Sequence, residues 1–454
     1  MSARITIAAL VCLALAVVSG PATEFSMPTG AEISQFLQDA VEKEKRAPGI
    51  VAGIIGEKGT QVIACGTLKG GGSEKVDGDT IFEIGSITKV FTTLLLQDMV
   101  ERGEVKLDDP IGKFLPASVK TPTRNGKEIT LYHLATHTSG LPRLAFGTWY
   151  MIWHIDDPYA PFKVKDFYKF LSGYKLPRDV GAEFEYSNAG MALLGHLLCL
   201  KAGTNYETLV VQRICKPLGM DSTCITLSAE QKKRFAAGHD ESGDPVKNWS
   251  PSDFPADGEL RSSANDLLKF LAANMELMPS GLSSAMRATR LPREPTDDPS
   301  EKVGLGWMIK TNFNVVWHDG ATQGYVSYIA FNPAERRGIV VLANSQNNID
   351  DIGETLAGVR KLRKVAQVNH EIYSRYTGKY RLNDKKLFTV SRKGDRLFTQ
   401  LTGQGKFEVF PESETEFFCK DFDAQLTFLT NGSGLATEVI LHQSGKDRRM
   451  KKVK

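Results

Sequence analysis

Ser86 and Lys89 stand three residues apart in "FEIGSITKVFTTLLLQDMVERGE". On a helix, positions three apart share a face, so this hydroxyl and this amine project together. At a helix N-terminus the backbone dipole and apolar surroundings disfavour an ammonium, and a neutral lysine can then take the seryl proton. That chemistry is nucleophilic acyl transfer. The competing reading is a serine N-cap beside a solvent-facing lysine. Ser-x-x-Lys is a cheap pattern, and a second copy runs from Ser172 to Lys175 in "SGYK". There an interior glycine and Pro177 oppose a stable helix.

Two further groups fit the same chemistry. Tyr186 and Asn188 form a Tyr-x-Asn in "FEYSNAGMALLGHLL" at a loop-to-helix junction. The phenol can relay protons if nearby cations lower its pKa, and the amide can hold Lys89 and a substrate carbonyl. The bland alternative is Ser187 or Asn188 capping the helix. In "VVWHDGATQGYVSYIAFNP", His318 ends a short strand as a proton donor or cation beside Tyr186, or as a surface strand residue. Gly320 lets the backbone approach a ligand, and the Ala321 amide can join that of Ser86 as an oxyanion hole.

Elements must bring these residues together. After Lys89, Val90, Phe91, Leu94, Leu95 and Met99 follow helical spacing and Gly103 ends the run. Residues 31–45 read as an amphipathic helix, and "IVAGIIGEKGTQVIACG" as a hairpin. Short helical patterns fill residues 131–277. Strands return in "GLGWMIKTN", "VVWHDGA", "YVSYIAFNP" and "RGIVVLANS", so both ends of the segment are expected to build one sheet around a helical insertion. Residues 350–370 read as helical and charged. From about 372, apolar and polar residues alternate between regular turns, which predicts a small antiparallel barrel or sandwich.

The rest of the sequence narrows the class. Net charge is +3, and the basic tail "KDRRMKKVK" has no groove-reading or stacking motif beside it, so nucleic acid is not implied. Arg4, an apolar run from Ile5 to Val18 and small residues near Gly20 to Thr23 predict a cleaved secretory signal, too short for a membrane span. Cys12 follows Val11, where a lipoprotein signal wants a small residue. The remaining cysteines are odd in number; Cys215 and Cys224 either pair across a short loop or stay unbridged. Histidines are scattered without a HExxH, so no metal and no cofactor are expected.

Ser-x-x-Lys, Tyr-x-Asn and a His/Lys-x-Gly strand, in this order, resemble the motif set of the penicillin-recognising serine hydrolases. With "ITLYHLATHTSGLPR", "LGMDST", "ELRSSANDLLKFL" and "GLGW", residues 30–360 resemble the class C β-lactamase-like family, and its exported carboxypeptidase/endopeptidase branch in particular. The resemblance implies an α+β fold in three parts: a signal over 1–23, a β-lactamase/transpeptidase-like domain over 24–371 and a lipocalin-like β-barrel over 372–454. It also implies Ser86 as the acylated nucleophile, Lys89 as its proton acceptor and Tyr186 as acid/base. Asn188, His318, Gly320 and Ala321 would bind substrate, and His137 would orient its loop.

The departure is at 318, where class C β-lactamases have Lys-Thr-Gly and this chain has His-Asp-Gly. A partly charged histidine beside Asp319 is a poor carboxylate binder. The expected partners are therefore a β-lactam, a D-alanyl peptide or a short acyl ester. The alternatives are a carboxylesterase of the same family and a non-catalytic binding protein on the same fold.

Overall fold

A computed structural model of the chain describes residues 28–147, 157, 159–420, 422–443 and 446–453. The expected leader lies outside the described residues. The first helix, α1 (Gly30–Gln38), starts at a capping box in which Thr29 accepts from the Glu32 amide and the Glu32 carboxylate accepts from the Thr29 amide.

The sheet joins both ends of the catalytic segment. β1 (Gly49–Gly56) and β2 (Gly59–Gly66) form the expected hairpin. β1 then pairs antiparallel with β8 (Arg337–Ala343), the last of a run containing β3 (Glu294–Pro295), β4 (Glu301–Val303), β5 (Met308–Lys310), β6 (Val315–Ala321) and β7 (Val326–Asn332). The order is β2-β1-β8-β7-β6-β5-β4-β3, antiparallel throughout.

Side-chain alternation sends successive residues to two different cores. Ile50 and Ala52 of β1, with Val326 and Tyr328 of β7, join Ile33 and Leu37 of α1 and Ile352 and Leu356 of α6 (Asp350–Leu356). Val51 and Ile55, with Ile329 and Phe331, face the larger helical core. That core holds α2 (Thr88–Glu101), α3 (Val164–Gly173), α4 (Asn188–Ala202) and α5 (Ala264–Asn274). Every residue of α2 from Thr88 to Met99 is buried, as expected of a helix enclosed on all sides.

Residues 350–370 differ from expectation. The helix stops at Leu356, and Gly358 takes a φ of 75° that breaks the next turn. The chain then runs without helix or strand toward the C-terminal domain, where the Ala366 N–H donates to the Pro411 carbonyl at 2.8 Å.

That domain is a closed barrel of eight antiparallel strands, from Gly378–Arg381 to Lys446–Lys452, not a sandwich. Its interior is filled. Tyr376 stacks on Phe428 with centroids 4.4 Å apart, Phe417 meets both edge-on, and the buried Tyr380 hydroxyl donates to the Tyr376 carbonyl. Cys215 and Cys224 are not bridged: both sit buried, and the Cys224 thiol donates to Gln231 Oε1.

Candidate active site

Ser86 lies in a 3-10 turn, Gly85–Ile87, that leads into α2. It caps nothing: the residue preceding α2 makes no side-chain cap bond, and Ser86 Oγ instead accepts from Lys89 Nζ at 2.7 Å. Lys89 is 0% exposed, and its second acceptor is the main-chain carbonyl of Asp257. Burial pushes the amine down from its usual range to about 8, against the pull of Asp257 and Asp319. The solvent-facing alternative therefore fails for this pair. It holds for the other, where Ser172 and Lys175 are exposed and α3 ends at Gly173 between them.

Tyr186 closes the site from the second element. Its ring lies 5.1 Å from Lys89 Nζ and 5.4 Å from the Arg143 guanidinium, and its phenol hydrogen-bonds Ser86. Burial, reinforced by Asp319, pushes the phenol up, so Tyr186 is a neutral donor rather than a phenolate. The cations beside it do not reverse that burial cost, which corrects the expectation of a lowered pKa.

His137 holds this ring. Its imidazole stacks on Tyr186 at 4.6 Å, and its Nδ1 accepts from the Ser187 amide at 3.1 Å. With the lone pair so used, the proton sits on Nε2. Ser187 is the N-cap of α4, bonded to the Gly190 amide, so the bland reading of that residue is correct beside the chemical reading of its neighbours. Asn188 opens α4, but its amide engages the Tyr159 hydroxyl, not Lys89, and its Oδ1 is buried without a partner among the described residues.

β6 forms the third wall. β5 pairs with it only at Val315 to Trp317, which leaves residues 318–321 with one free edge. The Thr322 amide donates to the Tyr325 carbonyl. Because ladder bonds alternate, the Ala321 N–H therefore points away from β7 toward the Ser86 turn. Contact there is close: a β-carbon on Gly85 would lie 2.6 Å from the Ala321 nitrogen. Gly320 passes against Ile84 in the same way. The Ala321 amide is thus brought against the turn that carries Ser86.

His318 is 0% exposed, not a surface strand residue, and its ring is 6.1 Å from that of Tyr186. Burial lowers its pKa, so it is not the cation expected beside Tyr186. Nδ1 lies 2.6 Å from the Asp319 carbonyl, which can only accept. In the neutral ring Nε2 is then a bare acceptor, buried and without a partner among the described residues.

Three neighbours carried no assigned role in the sequence. Arg143 ends "SGLPR", Tyr159 lies in an unremarkable loop, and Asp257 lies in "FPADGEL". Only folding places them against Tyr186, Asn188 and Lys89 respectively, and no spacing rule marks them.

A serine hydroxyl at a helix start, a buried lysine amine, a neutral phenol and a strand amide passing the serine turn are the groups of a serine hydrolase of the β-lactamase/DD-carboxypeptidase class. The chain belongs to the beta-lactamase family, whose model matches residues 33–362. Residues 362–452 match a domain of unknown function, DUF3471. Among curated relatives, penicillin-binding protein 4* of Bacillus subtilis is 26% identical over 83% of this chain and 88% of its own. The D-alanyl-D-alanine-carboxypeptidase/endopeptidase AmpH of Escherichia coli is 26% identical over 65% of this chain and 82% of its own. An octameric penicillin-binding protein homologue from Pyrococcus abyssi superposes with a TM-score of 0.68 at 26% identity, covering 93% of this chain and 99% of its own. A class C β-lactamase from Rhodobacter sphaeroides shares the fold, with a TM-score of 0.63 at 23% identity over 72% of this chain and 98% of its own. Among the described residues no helix is long and apolar enough to cross a membrane.

Proposed function

We propose that this chain is an exported hydrolase that forms an acyl-enzyme at Ser86 on D-alanyl-peptide or β-lactam carbonyls. The observation that carries this is the fully buried Lys89 amine, 2.7 Å from Ser86 Oγ. Ser86 Oγ bonds to the carbonyl carbon as its proton passes to Lys89 Nζ. The amides of Ser86 and Ala321 take the oxyanion. The bond to the leaving nitrogen or oxygen then breaks, and that atom takes a proton from the Tyr186 phenol, which Lys89 resupplies. Water attacks the acyl carbon by the reverse path, releasing the acid and free Ser86.

A second reading, an esterase on the same machinery, is favoured by His318. A neutral ring with an accepting Nε2 offers nothing to the carboxylate of a penicillin or of a terminal D-alanine.

Purified protein, with Ser86→Ala and Ser172→Ala variants, is incubated with a labelled penicillin while intact mass is followed. An adduct lost only in Ser86→Ala supports the first reading. Ser86-dependent cleavage of p-nitrophenyl acetate without an adduct supports the esterase. Inertness to both removes the hydrolase proposal in favour of a binding protein. Cell fractionation with N-terminal sequencing tests export, and an intact Met1 in the cytoplasmic fraction would refute it.

A further inference from the structure

The chain buries six carboxylates, taking the residues whose placement is described. Five are satisfied. Glu83 meets Arg261 and Asn248, and Asp98 meets Arg102 and Arg213. Asp109 meets Lys113, Asp266 meets Thr223 and Lys269, and Asp351 meets Arg46. Asp257, 7% exposed, is the sixth. Among the described residues no side-chain hydrogen bond supports its carboxylate; its own amide donates to it, and Lys89 acts on it through space. Burial raises its pKa to about 6, and unlike the other five it has no cation in contact among those residues, so a cation from outside the chain would complete the site.

The surroundings state what that partner is. Asp257 faces a small cavity of about 20 Å³ with Asn188, Tyr159, Phe146, Phe162 and Leu144 on its walls. That is room for one group the size of a water molecule. Phe146 meets Tyr159 and Phe162 edge-to-face, at 5.7 and 5.2 Å. A carboxylate, an amide oxygen and aromatic rings around a space of this size suit a primary ammonium. Two of the cavity's lining residues tie it to the Ser86 site: the Asp257 main-chain carbonyl and Ser86 Oγ both accept from the Lys89 amine, and Asn188 lies two residues after Tyr186.

A tuning role for the carboxylate is the competing explanation, and its sign is wrong. Asp257 pulls the Lys89 pKa up, which opposes the lysine's use as a base. A cation bound at Asp257 cancels that pull.

We propose that the Asp257 carboxylate, with Asn188 and the aromatic wall, binds a primary ammonium on the acyl side of the substrate. The preferred acyl donor therefore carries a free amine near the scissile carbonyl. This rests on acyl transfer at Ser86.

Two probe pairs isolate the ammonium. Ampicillin differs from benzylpenicillin by one amine on the acyl side chain, and β-alanyl p-nitrophenyl ester differs from the butyryl ester by ammonium in place of methyl. Acylation rates by intact mass, and kcat/KM for the esters, are measured for the wild type and Asp257→Asn, with thermal melts of both. The wild type is expected to prefer the amine-bearing member of a pair by roughly ten- to hundredfold, the scale of a hydrogen bond between charged groups. In Asp257→Asn the ratio falls toward one. Equal wild-type rates within both pairs overturn the ammonium site whatever the variant does, and leave acyl transfer standing. A preference kept by a normally melting Asp257→Asn overturns the role of Asp257. Inertness of Ser86 toward all four probes overturns the acyl-transfer reading and the ammonium site with it.

Discussion

A β-carbon on residue 320 would lie 2.1 Å from the main-chain oxygen of Ile84 and 2.5 Å from Ser327 Oγ. The Ile84 oxygen is fixed where it is, because Ser327 Oγ donates to it at 2.9 Å. Gly320→Ala therefore has to push β6 off the Ser86 turn. Strain of this kind costs about 1–3 kcal/mol, and it displaces the Ala321 amide from the oxyanion position. The expected outcome is a lower melting temperature with a loss of p-nitrophenyl acetate cleavage larger than unfolding accounts for. Wild-type turnover in this variant would show that the Ala321 amide takes no part.

Lys89 sets the pH dependence. Burial brings its pKa down to about 8, so the neutral amine, the form the proposed mechanism needs to accept the seryl proton, is the minor form at pH 7. Acylation should rise about tenfold per pH unit below 8 and level off above it. Lys89→Arg keeps a cation but removes the base, and should slow acylation by roughly 10²–10⁴-fold. Stopped-flow acylation across pH 5.5–9.5 reads the limb. A flat profile would mean that Lys89 is not the proton acceptor.

His137 is tested through Tyr186. Its Nδ1 is the acceptor for the Ser187 amide and its ring backs the phenol, although it does not touch Ser86. Residue 137 also sits at a φ of 57°, which asparagine tolerates better than most residues. His137→Asn keeps an acceptor in that conformation, whereas His137→Ala leaves the buried amide unpaired at about 1–3 kcal/mol. Alanine should lower both stability and kcat, while asparagine restores stability but not kcat, because only the imidazole stacks on Tyr186. Paired melts and kcat values for the two variants decide it. Full rescue of kcat by asparagine would limit His137 to holding the backbone.

The parts of the site that local rules govern were legible in the sequence. Ser86 and Lys89 announce themselves because helical spacing fixes their common face, and Tyr186 because it precedes a capped helix. What local rules omit is burial. Whether His318 faced water or the core depended on β6 being crossed by the Ser86 turn, which is a contact between residues more than 230 positions apart in sequence. The same long-range packing inverted the expected shift at Tyr186 and brought Asp257 in unannounced. In the fold, the barrel was readable from alternation and turns, since period two survives in each strand. The end of α6 was not, because the irregular residues 361–369 beyond it are held by the barrel they lead to, as where the Ala366 amide donates to the Pro411 carbonyl.

That connector carries the last prediction. Arg360 is buried and its guanidinium donates to the carbonyls of Cys419, Lys420 and Phe422, which belong to the barrel, while Glu354 of α6 pairs with it from the catalytic side. Lys420 returns across the same boundary to Glu44. One side chain thus bonds three barrel carbonyls, of which that of Phe422 also accepts from the Ala424 amide. Arg360→Ala should leave Ser86 chemistry near wild type, since nothing in the acyl-transfer site touches Arg360, yet free the barrel. Limited proteolysis should then cut within residues 361–369 at least several times faster than in the wild type, releasing a fragment of the barrel's mass. Unchanged cleavage would place the docking energy in the apolar contacts and the Lys420–Glu44 pair, and a double Arg360→Ala, Lys420→Met variant would separate those two. Because the barrel's interior is filled by its own tyrosines and phenylalanines, its contribution to the enzyme has to come from its outer surface and this junction, and the Arg360 variant reads the junction alone.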